Sequence, residues 1–176
     1  MPGRPGRFDL ARLPDEQSIG KEARIEDANH QSLKLWLRLL ACTTQIEIEI
    51  RRRLRERFAV SLPRFDYLAQ LHRHPAGLRM NTLSRYLMVS GGNVTGLTDE
   101  LVKEGFVVRD DDPDDGRSFR VRLTDPGRSA FERMAREHEG WVVELFGGLD
   151  AAHKLALYED HGRLRVQLAA RKEPPE

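Results

Sequence analysis

Between residues 80 and 127 the hydrophobic period of the chain passes from helical, across a glycine break, to helical again and then to strand, an order that few folds accommodate. In residues 80–89 the apolar side chains Leu83, Tyr86, Leu87 and Val89 recur at helical spacing, which predicts a short helix that Asn81 or Thr82 can cap. Ser90-Gly91-Gly92-Asn93 then breaks the pattern with turn-forming residues, and Ser90 or Asn93 can accept hydrogen bonds from free backbone N–H groups. Val94, Leu97, Leu101 and Val102 predict a second helix, with Gly92, Asn93, Thr95, Gly96 and Asp99 mostly on the opposite face. Gly105 reads as its C-cap, residues 106–109 as a strand, the aspartate-rich residues 110–116 as a turn, and residues 118–123 as a second strand with period two. The expected class is mainly α with a small β-hairpin wing: a winged helix-turn-helix.

Small polar residues near a helix N-terminus suit a helix that enters a DNA major groove, because short side chains let the backbone approach and Asn or Thr can read base edges. Two apolar helices joined by glycine are common in proteins that never meet DNA, so the hairpin behind them carries the weight. Arg117 lies near its tip, placed to enter a minor groove. Five aspartates share that turn; they either orient Arg117 or face solvent, and the spacing and closing glutamate of an EF-hand are absent.

Three segments together resemble the MarR family of bacterial transcription regulators. They are Leu101-Val102-Lys103-Glu104-Gly105-Phe106-Val107, the wing Asp112-Pro113-Asp114-Asp115-Gly116-Arg117-Ser118, and Val121-Arg122-Leu123-Thr124-Asp125-Pro126-Gly127. The resemblance runs from about residue 31 to about residue 170. It implies a homodimer on pseudo-palindromic double-stranded operator DNA, usually a repressor released by a small ligand. The family's wing often reads Asp-Arg-Arg; Gly116 stands at the first arginine here, so only Arg117 carries over. The DNA-binding candidates are Ser90, Gly92, Asn93, Thr95, Gly96, Lys103, Arg109, Arg117 and Arg120.

The remaining sequence must supply the dimer interface. Residues 33–58 lack Gly and Pro and read as one long helix. One face carries Leu33, Trp36, Leu37, Leu40, Ile50 and Leu54, and another Leu35, Leu39, Cys42 and Ile46, so the helix needs two partners, its own domain and a second subunit. Ile46-Glu47-Ile48-Glu49-Ile50 alternates like a strand, against its flanks. Pro63 suits the first turn of a helix over residues 64–72; Thr124 or Asp125 caps a helix running past Leu145, and Asp150 caps the last. The expected regions are an N-terminal arm (1–26), a dimerisation helix (27–62), the reading head (63–123), C-terminal dimerisation helices (124–171) and a tail (172–176). The arm carries Phe8, Leu10, Leu13 and Ile19 as apolar anchors. The sequence shows no long uncharged apolar run and no apolar signal core, which makes a cytoplasmic location away from membranes the default. The lone Cys42 excludes an intramolecular disulfide and reads as packed, with a redox switch as the alternative.

Bulk charge argues for nothing here: the chain is +1 overall, with seven Lys/Arg against eight Asp/Glu between residues 79 and 122. Arg79, Lys103, Arg109, Arg117 and Arg120 must therefore be placed toward phosphates while the aspartates point away. Arg51-Arg52-Arg53-Leu54-Arg55-Glu56-Arg57 surrounds a helix axis and reads as solvated or paired with Glu47, Glu49 and Glu56. Residues 35–44 and 63–68 resemble the MarR branch that senses aromatic acyl-CoA thioesters such as p-coumaroyl-CoA. The effector implied is an aromatic acyl-CoA or aromatic carboxylate, with its ring among Trp36, Phe65, Tyr67 and Leu68 and its anionic groups near Arg38, Arg51 or Arg64, although each aromatic also suits an ordinary core position. No cofactor or metal is expected; His72, His74, His138, His153 and His161 leave a metal-responsive regulator as an alternative. No phosphate loop, nucleophile elbow or paired acid–base spacing points to an enzyme. The reading from another class is a protein-interaction module with the acidic wing as its contact surface.

Overall fold

The computed structural model describes residues 31–87, 91–112 and 115–170, with the backbone alone at 115–117. In chain order these form α1 (Gln31–Phe58), α2 (Leu62–Arg73), β1 (Leu78–Arg79), α3 (Met80–Leu87), α4 (Gly91–Lys103), β2 (Val107–Asp112), β3 (Asp115–Leu123), α5 (Asp125–Leu145) and α6 (Ala151–Ala170). The result is a mostly helical chain with one small antiparallel sheet. Two compact units meet inside α1, between Arg52 and Arg53. The N-terminal arm with its four apolar anchors lies outside the described residues.

In the first unit, the alternating Ile-Glu run is helical, and a local reason is visible. Arg51 pairs with Glu47 one turn earlier and Arg52 donates to Glu49 at 2.6 Å, contacts that only helical spacing provides. Leu33, Leu35, Trp36, Leu40 and Ile48 are exposed. Cys42, expected to be packed, is exposed with them, because its stripe of the helix is covered only in part, at the half-buried Leu39 and Ile46.

The second unit holds the core: Leu54, Tyr67, Leu68, Leu71, Leu83, Leu101 and Val121 have no exposed surface. Pro63 in the first turn starts α2, whose buried face meets α5 through aromatic rings. Phe65 lies 5.5 Å from Phe131 and 4.8 Å from His138, and His72 lies 4.9 Å from Phe131. Burial there pushes the His138 imidazole below its usual pKa, partly opposed by Asp66.

Three boundaries differ from the sequence expectation. Helix α3 begins at Met80, so Asn81 and Thr82 sit in its first turn and bond to each other rather than capping it. Gly91, Gly92 and Asn93 belong to α4 itself, not to the turn before it. The aspartate run is mostly strand: β2 reaches Asp112 and β3 starts at Asp115, with a bulge at Asp111/Asp112. Aspartate is a poor strand former, but here Asp110 and Asp112 each hold an arginine, Arg122 in one case and both Arg79 and Arg120 in the other. The wing is also more than a hairpin, since β1 adds to it in the order β1-β3-β2, pairing Leu78 with Val121 and Arg79 with Arg120. Two residues are too few to show a period, so no pattern announced β1.

At the end of α4, Gly105 takes φ 76°, and Phe106 N–H and Gly105 N–H donate to Leu101 and Val102 carbonyls at 2.9 Å, the Schellman arrangement. Thr124 caps α5, accepting from Gly127 N–H at 3.1 Å. Asp150 caps α6, accepting from His153 N–H at 2.8 Å. Every residue of α6 is exposed, including Leu155, Leu157, Tyr158, Leu164, Val166 and Leu168. No helix among the described residues is long and apolar enough to cross a membrane.

Candidate nucleic-acid interface

Helix α4 buries Val94, Thr98 and Leu101 and exposes Gly92, Asn93, Thr95, Gly96 and Asp99. A Cβ built on Gly91, Gly92 or Gly96 would meet nothing within 4 Å, so neither packing nor φ demands glycine there. Each helical glycine costs up to about 1 kcal/mol relative to alanine, yet three share one thirteen-residue helix. Their common property is a bare backbone on an open face, with Asn93 beside it. Thr95 donates its hydroxyl back to the Gly91 carbonyl at 3.0 Å.

A buried polar contact fixes how that face is held. Thr98 Oγ1 lies 2.6 Å from the Tyr67 hydroxyl and donates to the Val94 carbonyl at 2.7 Å. Both residues have no exposed surface, so α2 and α4 are registered by a bond that water cannot replace. Sequence reasoning missed it: it took Val102 as the inward residue, whereas Thr98 is buried and Val102 is exposed. A threonine on an amphipathic helix gives no signal of its partner 31 residues away. At the C-terminal end of α4, Glu104 pairs with Arg64 of α2, whose guanidinium lies 5.7 Å from the Phe106 ring centroid.

Burial pushes the Tyr67 hydroxyl up to about 12, with the Thr98 bond opposing. The native state therefore keeps this proton after the unfolded chain has lost it near pH 10. Stability from Tyr67 is complete below that pH and falls as pH rises toward 12. In an ultraviolet titration one tyrosine should ionise only toward pH 12, and Tyr67→Phe should remove that step and lower stability by about 1 kcal/mol. An unchanged titration curve in the variant would refute the assignment.

Behind α4 the sheet carries arginines paired with acids. Arg109 of β2 reaches Asp99 of α4, joining wing and helix on the exposed side. Arg79 and Arg120 converge on Asp112, whose side chain is fully buried, with Nη2–Oδ1 and Nε–Oδ2 distances of 3.0 Å. Of the aspartates expected either to orient Arg117 or to face solvent, Asp112 is buried and takes Arg79 and Arg120. Lys103 is exposed in the last turn of α4. Arg117 stands in β3, two residues from its start, with its side chain outside the description, and Ser90 lies outside the described residues.

The ligand candidates are divided between the two units. Trp36, Arg38 and Arg51 lie in the first unit, where Trp36 is 57% exposed and Arg51 is paired with Glu47. Arg64, Phe65, Tyr67 and Leu68 share α2 in the second unit, but Tyr67 and Leu68 are sealed in the core. An acyl group lying against them requires the core to open. Among the described residues, no group of three or more His, Cys, Asp or Glu side chains is placed to hold a metal.

The model of the MarR family matches residues 60–119, which run from the start of α2 into β3. The transcriptional activatory protein BadR of Rhodopseudomonas palustris is 31% identical over 140 residues, covering 76% of this chain and 77% of BadR. The uncharacterized HTH-type regulator YkoM of Bacillus subtilis is 42% identical over 66 residues, and the match spans only 42% of its length. A MarR family transcriptional regulator from Silicibacter pomeroyi superimposes with a TM-score of 0.66 at 32% identity, covering 84% of this chain and 100% of that one. With a winged helix-turn-helix whose exposed α4 face is bare of packing duties, and with relatives aligned along most of its length, the chain belongs to the MarR family: it is a DNA-binding transcriptional regulator and not an enzyme.

Proposed function

We propose that the protein is a homodimeric repressor that grips a pseudo-palindromic operator and is released by a small aromatic ligand, an aromatic acyl-CoA such as p-coumaroyl-CoA. The observation that carries DNA reading is the glycine-bared face of α4 beside the arginine-bearing sheet. In this reading Asn93 and Thr95 address base edges, and Gly92 and Gly96 allow close approach. Lys103, Arg109 and Arg120 hold phosphates, and Arg117 enters the flanking minor groove. Exposed apolar side chains on α1 and on α6 support dimerisation through residues 27–62 and 124–171, because a monomer gains nothing from leaving a twenty-residue helix uncovered. A ligand that favours a dimer whose reading heads no longer match major grooves about 34 Å apart lowers affinity by geometry.

The test is a titration of operator DNA from the protein's own upstream region at fixed salt, with and without p-coumaroyl-CoA and free p-coumarate. Release by the thioester alone is the expected result. Asn93→Ala should alter preference at particular base positions, whereas Arg117→Ala should weaken every operator with A·T-rich flanks. Equal losses on specific and random DNA for both variants would contradict that division. The name of BadR favours a second reading, activation, in which the same titration with ligand present shows operator binding retained and transcription raised.

A further inference from the structure

Within the second unit, a groove of about 690 Å³ runs between the end of α1 and one face of α5. Its volume lies in the range of small-molecule sites, roughly 300–1,000 Å³. Three guanidinium groups line it, Arg57, Arg133 and Arg136, against one carboxylate, Glu137. The acid does little to neutralise them: Arg57 reaches Glu137 only at 3.5 Å, and Arg133 spends one donor on the Ser129 carbonyl at 3.3 Å. Arg136 has no ion pair or hydrogen bond among the described residues. Phe58 and Trp141 form the apolar wall, their ring centroids 6.2 Å apart and their planes tilted by 45°.

Gly140 supplies an independent observation. It sits in the interior of α5, where glycine costs about 1 kcal/mol relative to alanine, and a Cβ there would touch nothing within 4 Å. The fold makes no demand for glycine there, and Gly140 lines the groove together with Trp141.

Such a site selects for a flat ring attached to more than one negative charge. Arginine binds phosphate in bidentate fashion, and a purine stacks on an indole. We propose that this groove seats a phosphorylated purine nucleotide, specifically the nucleotide end of the effector, with its phosphates on Arg57, Arg133 and Arg136 and its base against Trp141. This rests on the reading of the effector as a coenzyme A thioester. It places the anionic end of that ligand on residues of α5 rather than at Arg38, Arg51 or Arg64.

The probe is adenosine 3′,5′-bisphosphate, titrated calorimetrically into the full-length protein beside adenosine, inorganic phosphate and p-coumarate. One bisphosphate should bind per chain, more tightly than any of the other three and more weakly as salt rises. Arg136→Gln should raise its Kd about tenfold, the loss of one charged hydrogen bond. Gly140→Met should abolish binding while leaving the melting temperature at or above that of the unmodified protein, since methionine is the better helix former. No bisphosphate binding, unchanged affinity in both variants, or occupation by p-coumarate in preference to the nucleotide each overturns the proposal. The same variants in the operator titration separate the two readings. If p-coumaroyl-CoA releases operator from Arg136→Gln as readily as from the unmodified protein, the groove assignment falls and the effector stands. If the bisphosphate binds in a variant-sensitive way and the thioester releases nothing, the groove stands and the effector falls.

Discussion

Gly127→Ala is expected to cost more than about 3 kcal/mol, beyond the usual penalty for one added methyl group, and to leave little folded protein at 37 °C. The added Cβ would lie 1.9 Å from the Phe106 carbonyl oxygen and 2.7 Å from its carbon, both backbone atoms that no rotamer change can move. Two hydrogen bonds hold the two segments at that distance, and a third ties Gly127 to the same threonine. Thr124 N–H donates to the Phe106 carbonyl at 3.1 Å, the Thr124 hydroxyl donates to the Gly105 carbonyl at 2.6 Å, and Gly127 N–H donates to that hydroxyl oxygen at 3.1 Å. Any shift of α5 that accommodates the methyl group stretches the two bonds to Gly105 and Phe106 and pulls the start of α5 from the start of β2. Urea denaturation of the full chain gives the measurement: a midpoint within experimental error of the unmodified protein would show that the approach of the two backbones is not real. Gly140→Ala is the matched control, because an identical change in the same helix meets open space and should stabilise by up to about 1 kcal/mol.

The contrast between those two glycines shows what the sequence can and cannot disclose. Gly127 stood in the segment that resembles the family, and its place in the helix entry was legible; the carbonyl 21 residues earlier that forbids a side chain was not. Helices, caps at Thr124 and Asp150, and the glycine stop at Gly105 were readable because they depend on periods and on residues within one turn. The exposed face of α4 was readable for the same reason. What escaped were features set by tertiary partners: the two-residue strand β1, the burial of Thr98 on Tyr67, and the extension of β2 and β3 through an aspartate run that by composition is a turn. The groove on α5 was invisible in a subtler way. Arg133, Arg136 and Gly140 look like an ordinary solvated helix face until the end of α1 is laid beside them.

Asp112→Ala should destabilise the protein by about 3 kcal/mol, at the low end of the range for breaking a buried ion pair, because Arg79 and Arg120 are part-exposed and can recover some hydration. Asp112→Asn, which keeps the shape and one acceptor oxygen, should lose less, and the difference between the two variants isolates the contribution of charge. The consequence for DNA is opposite in sign for two measurable quantities, which is what makes the prediction informative. Removing one negative charge from the wing raises attraction to any duplex, so affinity for random DNA should increase and the salt dependence should steepen by up to about one phosphate equivalent. Releasing the two arginines from their common acceptor should at the same time cost register on the operator, because phosphate contacts position the reading helix rather than specify bases. The ratio of operator to random-DNA affinity should therefore fall in Asp112→Asn even as random-DNA affinity rises. If Asp112 acted only by neutralising charge, both affinities would rise together with the ratio unchanged. If it were only a brace for the fold, the ratio would recover at temperatures where the variant is fully folded. A falling ratio in fully folded protein thus assigns to one buried carboxylate the task that the net charge of +1 leaves open, turning a nearly neutral chain toward DNA by fixing where its arginines point.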